Sequence, residues 1–326
     1  MGLFGRLLVL SSLALLIVAC ATARQQPSPE LAALADLDQE VAYLCPMHAD
    51  VTSTQPGHCD RCGMALVKGT PFDMRDFLLE ATTTPEVPKS GEPVRLTFRV
   101  VHPGTGEPVT DFELVHEMPF HLFVVSQDME HFEHIHPDKG EGGNWSIDVT
   151  LPRPGYYALI SDFAPKGASS QMTMRPLITA DAGEDLLDSS ADLELERSRT
   201  QTVGDLTASV SFDPPTLVAG RHGHVIFNVT STLTGQPITE LQTYLGAFGH
   251  LFIMNQDMAE YVHTHPVDTP SAQLKLEDLR GGPTVMFEGL MPKPGRYRAW
   301  AQFKYRDTLH TFATTFDVTD IGAPTP

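Results

Sequence analysis

The chain has 326 residues, with 41 acidic against 22 basic side chains and a formal charge of −19. It therefore lacks the basic footprint that binding to a nucleic-acid backbone requires. Hydrophobic residues make up 41%, enough for packed cores, and four cysteines are too few for a disulfide-rich scaffold of this length. The length exceeds one ordinary domain, and 26 prolines with 25 glycines favour short strands and turns over long helices.

Residues 1–19 read as an export signal. Arg6 precedes the apolar run Leu7–Ala19, broken only by Ser11 and Ser12. That run is too short for a hydrocarbon core that needs roughly 20 helical residues. Its end, Ile17-Val18-Ala19-Cys20, resembles a bacterial lipobox. The resemblance implies cleavage before Cys20 and lipidation of that residue. With Ala21 next, it also implies retention at the outer membrane, on the periplasmic side, of a Gram-negative envelope. The alternative is an ordinary secretory signal or a stray anchor. Acyl chains would hold the protein to the bilayer surface without a transmembrane helix. Residues 20–40 are read as a tether.

Setting Cys20 aside leaves Cys45, Cys59 and Cys62, an odd number that cannot pair completely within one exported chain. Their spacing with His48 is C-x2-H-x10-C-x2-C. Two x2 knuckles, each placing two donors on one side of a tight turn, can converge on a tetrahedral ion. Gly57 and Gly63 supply turn freedom, and Met47 and Met64 add thioethers, soft donors suited to Cu(I). The strings Tyr43-Leu44-Cys45-Pro46-Met47-His48 and Pro56-Gly57-His58-Cys59-Asp60-Arg61-Cys62-Gly63-Met64-Ala65-Leu66 resemble the small heavy-metal-binding domain. That family occurs beside copper-transporting P-type ATPases and in periplasmic adaptors of RND metal-efflux pumps. This chain departs from its pattern at Ala49-Asp50 and at Asp60, none of them a candidate ligand. The module is taken as 41–70. A structural zinc knuckle and a metal-free Cys59–Cys62 disulfide are the alternatives.

The remainder is a duplication. Residues 91–137 align without a gap on 220–266, and about a third of the positions are identical. Leu151-Pro152-Arg153-Pro154-Gly155-Tyr156-Tyr157 matches Met291-Pro292-Lys293-Pro294-Gly295-Arg296-Tyr297, so the second copy carries extra residues after His265. The copies span 72–182 and 201–320. The acidic stretch Asp181–Arg199 is read as a linker, bounded at 183–200, with one short helix. Val94–Val100 alternates with period two, as a half-buried strand does. Thr105-Gly106 and Thr234-Gly235 mark turns, while His121–Val125 and His250–Met254 suit central strands. Pro-Gly-x-Tyr reads as a sandwich corner with an anchoring tyrosine. The fold expected is mainly β, a Cys/His knuckle followed by two tandem immunoglobulin-like β-sandwiches. A cupredoxin-like barrel is the alternative.

Both copies keep His121/His250, Asp128/Asp257, Met129/Met258, His134/His263, His136/His265 and Pro137/Pro266. His134 and His136 stand at i and i+2, on one face of an extended segment. Paired imidazoles at that spacing can chelate Cu(II) or Zn(II), and His121 supplies a third nitrogen if the Gln127-Asp128 turn folds back. The bland reading is that these histidines are hydrogen-bonded structural groups. Asp128 and Asp257 are read as turn caps before ligands, Met172 and Met174 as core before donors, and His222 and His224 as surface residues. The string from His121 to Pro137 also resembles a loosely described exported bacterial domain often found next to the heavy-metal module.

These readings converge on a non-catalytic envelope lipoprotein that binds copper or zinc ions for sequestration, resistance or hand-over to an efflux system. Its candidate ligands are Cys45, His48, Cys59, Cys62, Met47 and Met64, then His121, His134 and His136, then His250, His263 and His265. A scaffold or adhesion protein with structural histidines is the first alternative. A His-metal enzyme is the second, although the sequence has no nucleophile elbow, HExxH, P-loop or dinucleotide fingerprint.

Overall fold

Alternating and apolar runs fold into strands throughout the computed structural model, which describes residues 42–45, 47–48, 51–69, 75–183, 191–196, 198–267 and 279–322. The export signal, Cys20 and the tether lie outside the described residues, as do Pro46, Ala49, Asp50 and most of the extra segment after His265. Among the described residues the one helical element is a short 3-10 turn, Glu141–Gly143. No described helix is long and apolar enough to cross a membrane.

The small module pairs β1 (Ala42–Leu44) with β2 (Thr52–Ser53) and β3 (Val67–Gly69), all antiparallel. Copy one follows with β4 (Leu78–Thr84), β5 (Pro93–Val101), β6 (Phe120–Ser126), β7 (Phe132–Ile135), β8 (Asp138–Lys139), β9 (Asn144–Thr150), β10 (Tyr156–Phe163) and β11 (Gln171–Ile178). They form two sheets, ordered β4-β5-β9-β8 and β11-β10-β6-β7. These are the two layers of an immunoglobulin-like sandwich, with one extra edge strand beside β6.

Copy two repeats the plan with β12 (Thr200–Val203), β13 (Leu206–Asp213), β14 (Leu217–Val218), β15 (His222–Ser231), β16 (Leu241–Gln242) and β17 (His250–Asn255). It continues with β18 (Tyr261–Thr264), β19 (Arg280–Gly281), β20 (Thr284–Leu290), β21 (Gly295–Tyr305) and β22 (Thr308–Thr319). One sheet runs β12-β13-β15-β20, and β22-β21-β17-β18 runs through the other. Both copies are open sandwiches rather than a closed barrel.

Strand β5 shows why the layers pack. Val94, Leu96, Phe98 and Val100 are buried, whereas Arg95 and Arg99 face out and pair with Asp148 and Glu80. The expected corners are present: the Tyr157 hydroxyl donates to the carbonyl of Arg153 and the Tyr297 hydroxyl to that of Lys293, both at 2.8 Å. Each tyrosine ties the start of its strand to the preceding loop.

Strands β6 and β17 are buried along their whole length, not on alternate residues. The reason is that both faces are covered. Phe120, Leu122 and Val124 enter the core of copy one. Phe123 and Val125 point the other way, into a cluster shared with Phe252, Met254 and Trp300 of copy two. The copies therefore meet sheet to sheet. Met172 and Met174 pack against this shared cluster, and so do Ala191 and Leu193 of the connecting segment. Residues 191–196 are not helical, because their apolar side chains and carbonyls are used in packing: Arg296 donates to the Leu193 carbonyl and Glu196 accepts from the Thr315 amide. The helix expected in the linker is thus absent from 191–196, and residues 184–190 lie outside the described residues.

Candidate metal centres

In the small module two tight turns bring the donors together. The Val51 amide donates to the His48 carbonyl at 2.8 Å and the Gly63 amide to that of Cys59 at 2.8 Å. Gly63 has φ +70, a left-handed conformation that suits glycine. Gly57 has no such φ and serves as an ordinary loop residue, contrary to the reading that both glycines supply turn freedom. Cys45, Cys59 and Cys62 are buried free thiols, so no Cys59–Cys62 disulfide forms. Cys45 Sγ lies 3.5 Å from Cys62 Sγ and 3.7 Å from His48 Nδ1, and Cys59 Sγ lies 3.4 Å from His48 Nδ1. Donors on a tetrahedral zinc-sized ion stand about 3.3–3.8 Å apart, so these spacings fit one ion. Hydrogen bonding from Cys62 pulls the Cys45 thiol well down, while the same contact and burial push Cys62 up. The pair thus shares one proton that an ion would displace. Met47 and Met64 pack around the cluster.

The second group belongs to copy one. His121 opens the buried face of β6, and its Nε2 lies 2.8 Å from the Val115 carbonyl. A carbonyl only accepts, so Nε2 carries the proton and Nδ1 presents a lone pair. His134 sits on β7 opposite Phe123, and its Nδ1 donates to Gln302 Oε1 at 2.9 Å, leaving Nε2 unprotonated. His121 Nδ1 is 3.0 Å from His134 Nε2 and 3.2 Å from His136 Nε2. The turn after β6 does fold back: the Met129 amide donates to the Ser126 carbonyl, with Met129 at φ +57. Asp128 accepts from the Ser126 hydroxyl and the Glu130 amide and pairs with Arg153. It caps the turn and lies outside the histidine cluster.

Copy two repeats this geometry. His250 Nε2 donates to the Tyr244 carbonyl at 2.9 Å and His263 Nδ1 to Asp162 Oδ2 at 2.7 Å. Their free nitrogens, His250 Nδ1 and His263 Nε2, face each other at 3.5 Å, and His265 Nε2 is 3.0 Å from His250 Nδ1. Asp257 is exposed, and so is His222, which pairs with Glu288.

These residues fit a metal ion. In each triad the outward nitrogens of two rings are committed to acceptors, so unprotonated nitrogens point inward at one another. Two buried lone pairs, 3.0 Å apart in copy one and 3.5 Å in copy two, repel and cannot bond, and a cation between them reverses the sign. Burial keeps five of these rings neutral and ready to ligate: it lowers His121 to about 3 and His136 to about 4, and it holds His134, His250 and His265 well below the usual imidazole range. Burial pushes Asp162 up, but its hydrogen bonds from His263 and Ser170 bring it below the usual carboxylate value.

Two features escaped the sequence reading. His116 of copy one stacks on His265 of copy two, with ring centroids 3.3 Å apart, and its Nε2 touches the Met47 thioether of the small module. Comparing the copies conceals His116, because copy two has Leu245 at the same turn position. Its backbone was a further sign unavailable to sequence: His116 and Glu117 both have positive φ, at +46 and +65. Asp162 and Gln302 are the second omission. A lone carboxylate in the Ala158–Phe163 run, apolar but for Ser161, was the available signal. A cavity of about 260 Å³ separates the small module from copy two, lined by Met47, His48, Cys62, His222, His263 and His265 among others.

Comparison with known proteins agrees with this division. Residues 42–68 match the family described as "Heavy metal binding domain". Residues 77–178 and 201–320 each match the family described as "Domain of unknown function (DUF8832)". No curated protein matches the chain. Among solved structures, the Escherichia coli adhesin FdeC is 11% identical with a TM-score of 0.24, over 79% of this chain and 68% of the adhesin. The Yersinia pseudotuberculosis adhesin InvE is 10% identical at 0.23, over 73% of this chain and 58% of that one. A two-domain fibronectin type III segment of chicken tenascin is 10% identical at 0.19, over 75% and 98%. These values are too low to carry residues or ligands across. The chain belongs to the DUF8832 family, with two copies of its domain in tandem behind a heavy metal binding domain.

Proposed function

We propose that this chain is a non-catalytic metal-binding lipoprotein of the bacterial envelope. It takes up copper, or else zinc, for sequestration, resistance or hand-over to an efflux system. The observation that carries this reading is the convergence of three groups of donor atoms, each group within 4.8 Å, from one Cys/His module and two histidine triads. Thiolates with nearby thioethers at Met47 and Met64 favour soft Cu(I), while imidazole triads accept Cu(II) or Zn(II). Two donor classes in one chain suit a carrier that holds copper in either oxidation state. Anchoring through Cys20 and an envelope location rest on the leader sequence.

The test is anaerobic titration of the full chain with Cu(I) and with Zn(II). More than one ion should bind per chain. The double variant His134→Ala/His136→Ala should bind one ion fewer while keeping its circular dichroism spectrum. Absence of any uptake overturns the proposal. A variant that loses its fold with metal uptake unchanged would instead make these histidines scaffolding.

A further inference from the structure

The two triads face each other across the contact between the copies. Phe123 stacks on Phe252 with ring centroids 4.3 Å apart, and these two residues occupy equivalent positions in the duplicated sequence. A residue that touches its own counterpart lies on the local twofold axis relating the copies, as in the isologous interface of a symmetric dimer. The histidine contacts across the interface are reciprocal in the same way. His121 lies 5.4 Å from His263, its mirror contact His134 to His250 is 5.5 Å, and His134 to His263 is 5.6 Å. Within copy one, His121 and His134 are 5.2 Å apart. Rings of different triads are thus about as close as rings of the same triad.

The supporting bonds cross the interface as well. Gln302, opposite His250 on β21, orients His134 of the other copy. Asp162, opposite His121 on β10, orients His263. These two positions are counterparts, and each fixes the tautomer of a ring that belongs to its neighbour's triad.

We propose, on the basis of the metal-binding reading above, that the triads form one paired metal centre on the axis between the copies, each half completed by a group from the other copy. An ion bound by an imidazole lies roughly 3 Å from the ring centre. Two ions held by rings 5.4–5.6 Å apart are therefore at most about 12 Å apart. The halves are unequal. A carboxylate behind a ligating histidine raises its basicity, which a neutral amide does less well. The copy-two half, backed by Asp162, fills first and the copy-one half, backed by Gln302, fills second.

The experiment uses the full-length chain carrying Cys20→Ser, Cys45→Ser, Cys59→Ser and Cys62→Ser, so that no thiolate binds or reduces Cu(II). Cu(II) is added stepwise and followed by electron paramagnetic resonance. The first equivalent should give the spectrum of an isolated ion, and the second should bring dipolar broadening. Asp162→Asn should weaken the first binding step about tenfold, the usual effect of losing such a support. His134→Ala and His250→Ala, each checked for an unchanged melting temperature, should both stop at one ion without broadening. Two ions bound with spectra that simply add would overturn the pairing while leaving metal binding intact. No uptake would overturn both.

Discussion

At the scale of the residue, the chemistry rests on where protons sit. His121 and His250 donate one nitrogen to the carbonyls of Val115 and Tyr244, so the other nitrogen is free by construction. Burial lowers His121 to about 3 and His136 to about 4, against about 6.5 in an unfolded chain. Between those values the unfolded chain binds more protons, so folding stability falls as pH falls. Metal-free protein should therefore be most stable above about pH 6.5 and should lose stability progressively toward pH 4. Urea melts at stepped pH values check this, and a midpoint flat from pH 7 to 4.5 would contradict buried neutral histidines. The clustering of these side chains was legible from spacing, because H-x-H in a strand and C-x2-C in a turn each force side chains together. His116 and the Asp162–Gln302 pair were not. They act across the sequence, through a turn and a neighbouring strand that no local pattern connects.

At the scale of the element, strands and corners position the ligands. The Tyr157 hydroxyl fixes the entry to β10, the strand that carries Asp162, and β10 pairs with β6 through Asp162 and His121. Tyr157→Phe should cost about 1 kcal/mol, the net value of one such hydrogen bond, measured as a shift in the denaturation midpoint with the slope unchanged. Tyr297→Phe in copy two should cost about the same. Alternation made β5 legible in the sequence. The unbroken apolar run of β6 was legible only as a central strand, since its second covering is the other copy and not its own domain.

At the scale of the whole molecule, duplication builds the interface and the interface builds the site. Phe123, Phe132, Phe252 and Trp300 form the apolar centre between the copies, with Phe132 and Trp300 stacked at 4.8 Å. Phe252→Ala removes a fully buried ring and should cost about 3–5 kcal/mol. It should also weaken metal uptake at both triads, because each is braced from across the interface. Loss at the copy-two triad alone would mean that the halves act independently. The repeat itself was visible in the sequence, and so was its β character. The face-to-face packing was not, because a linker with an unassigned path allows many arrangements of two sandwiches.

The central claim is that three groups of side chains hold metal, and metal content tests it most directly. Full-length protein loaded with Cu(I) and Zn(II) under anaerobic conditions, freed of loose ions and measured by elemental analysis should carry one ion for each of the three clusters. The ratio should fall by one ion in each of Cys59→Ser/Cys62→Ser, His134→Ala/His136→Ala and His263→Ala/His265→Ala. Protein that carries no copper or zinc under these conditions, or a ratio that none of the three variants changes, would contradict it.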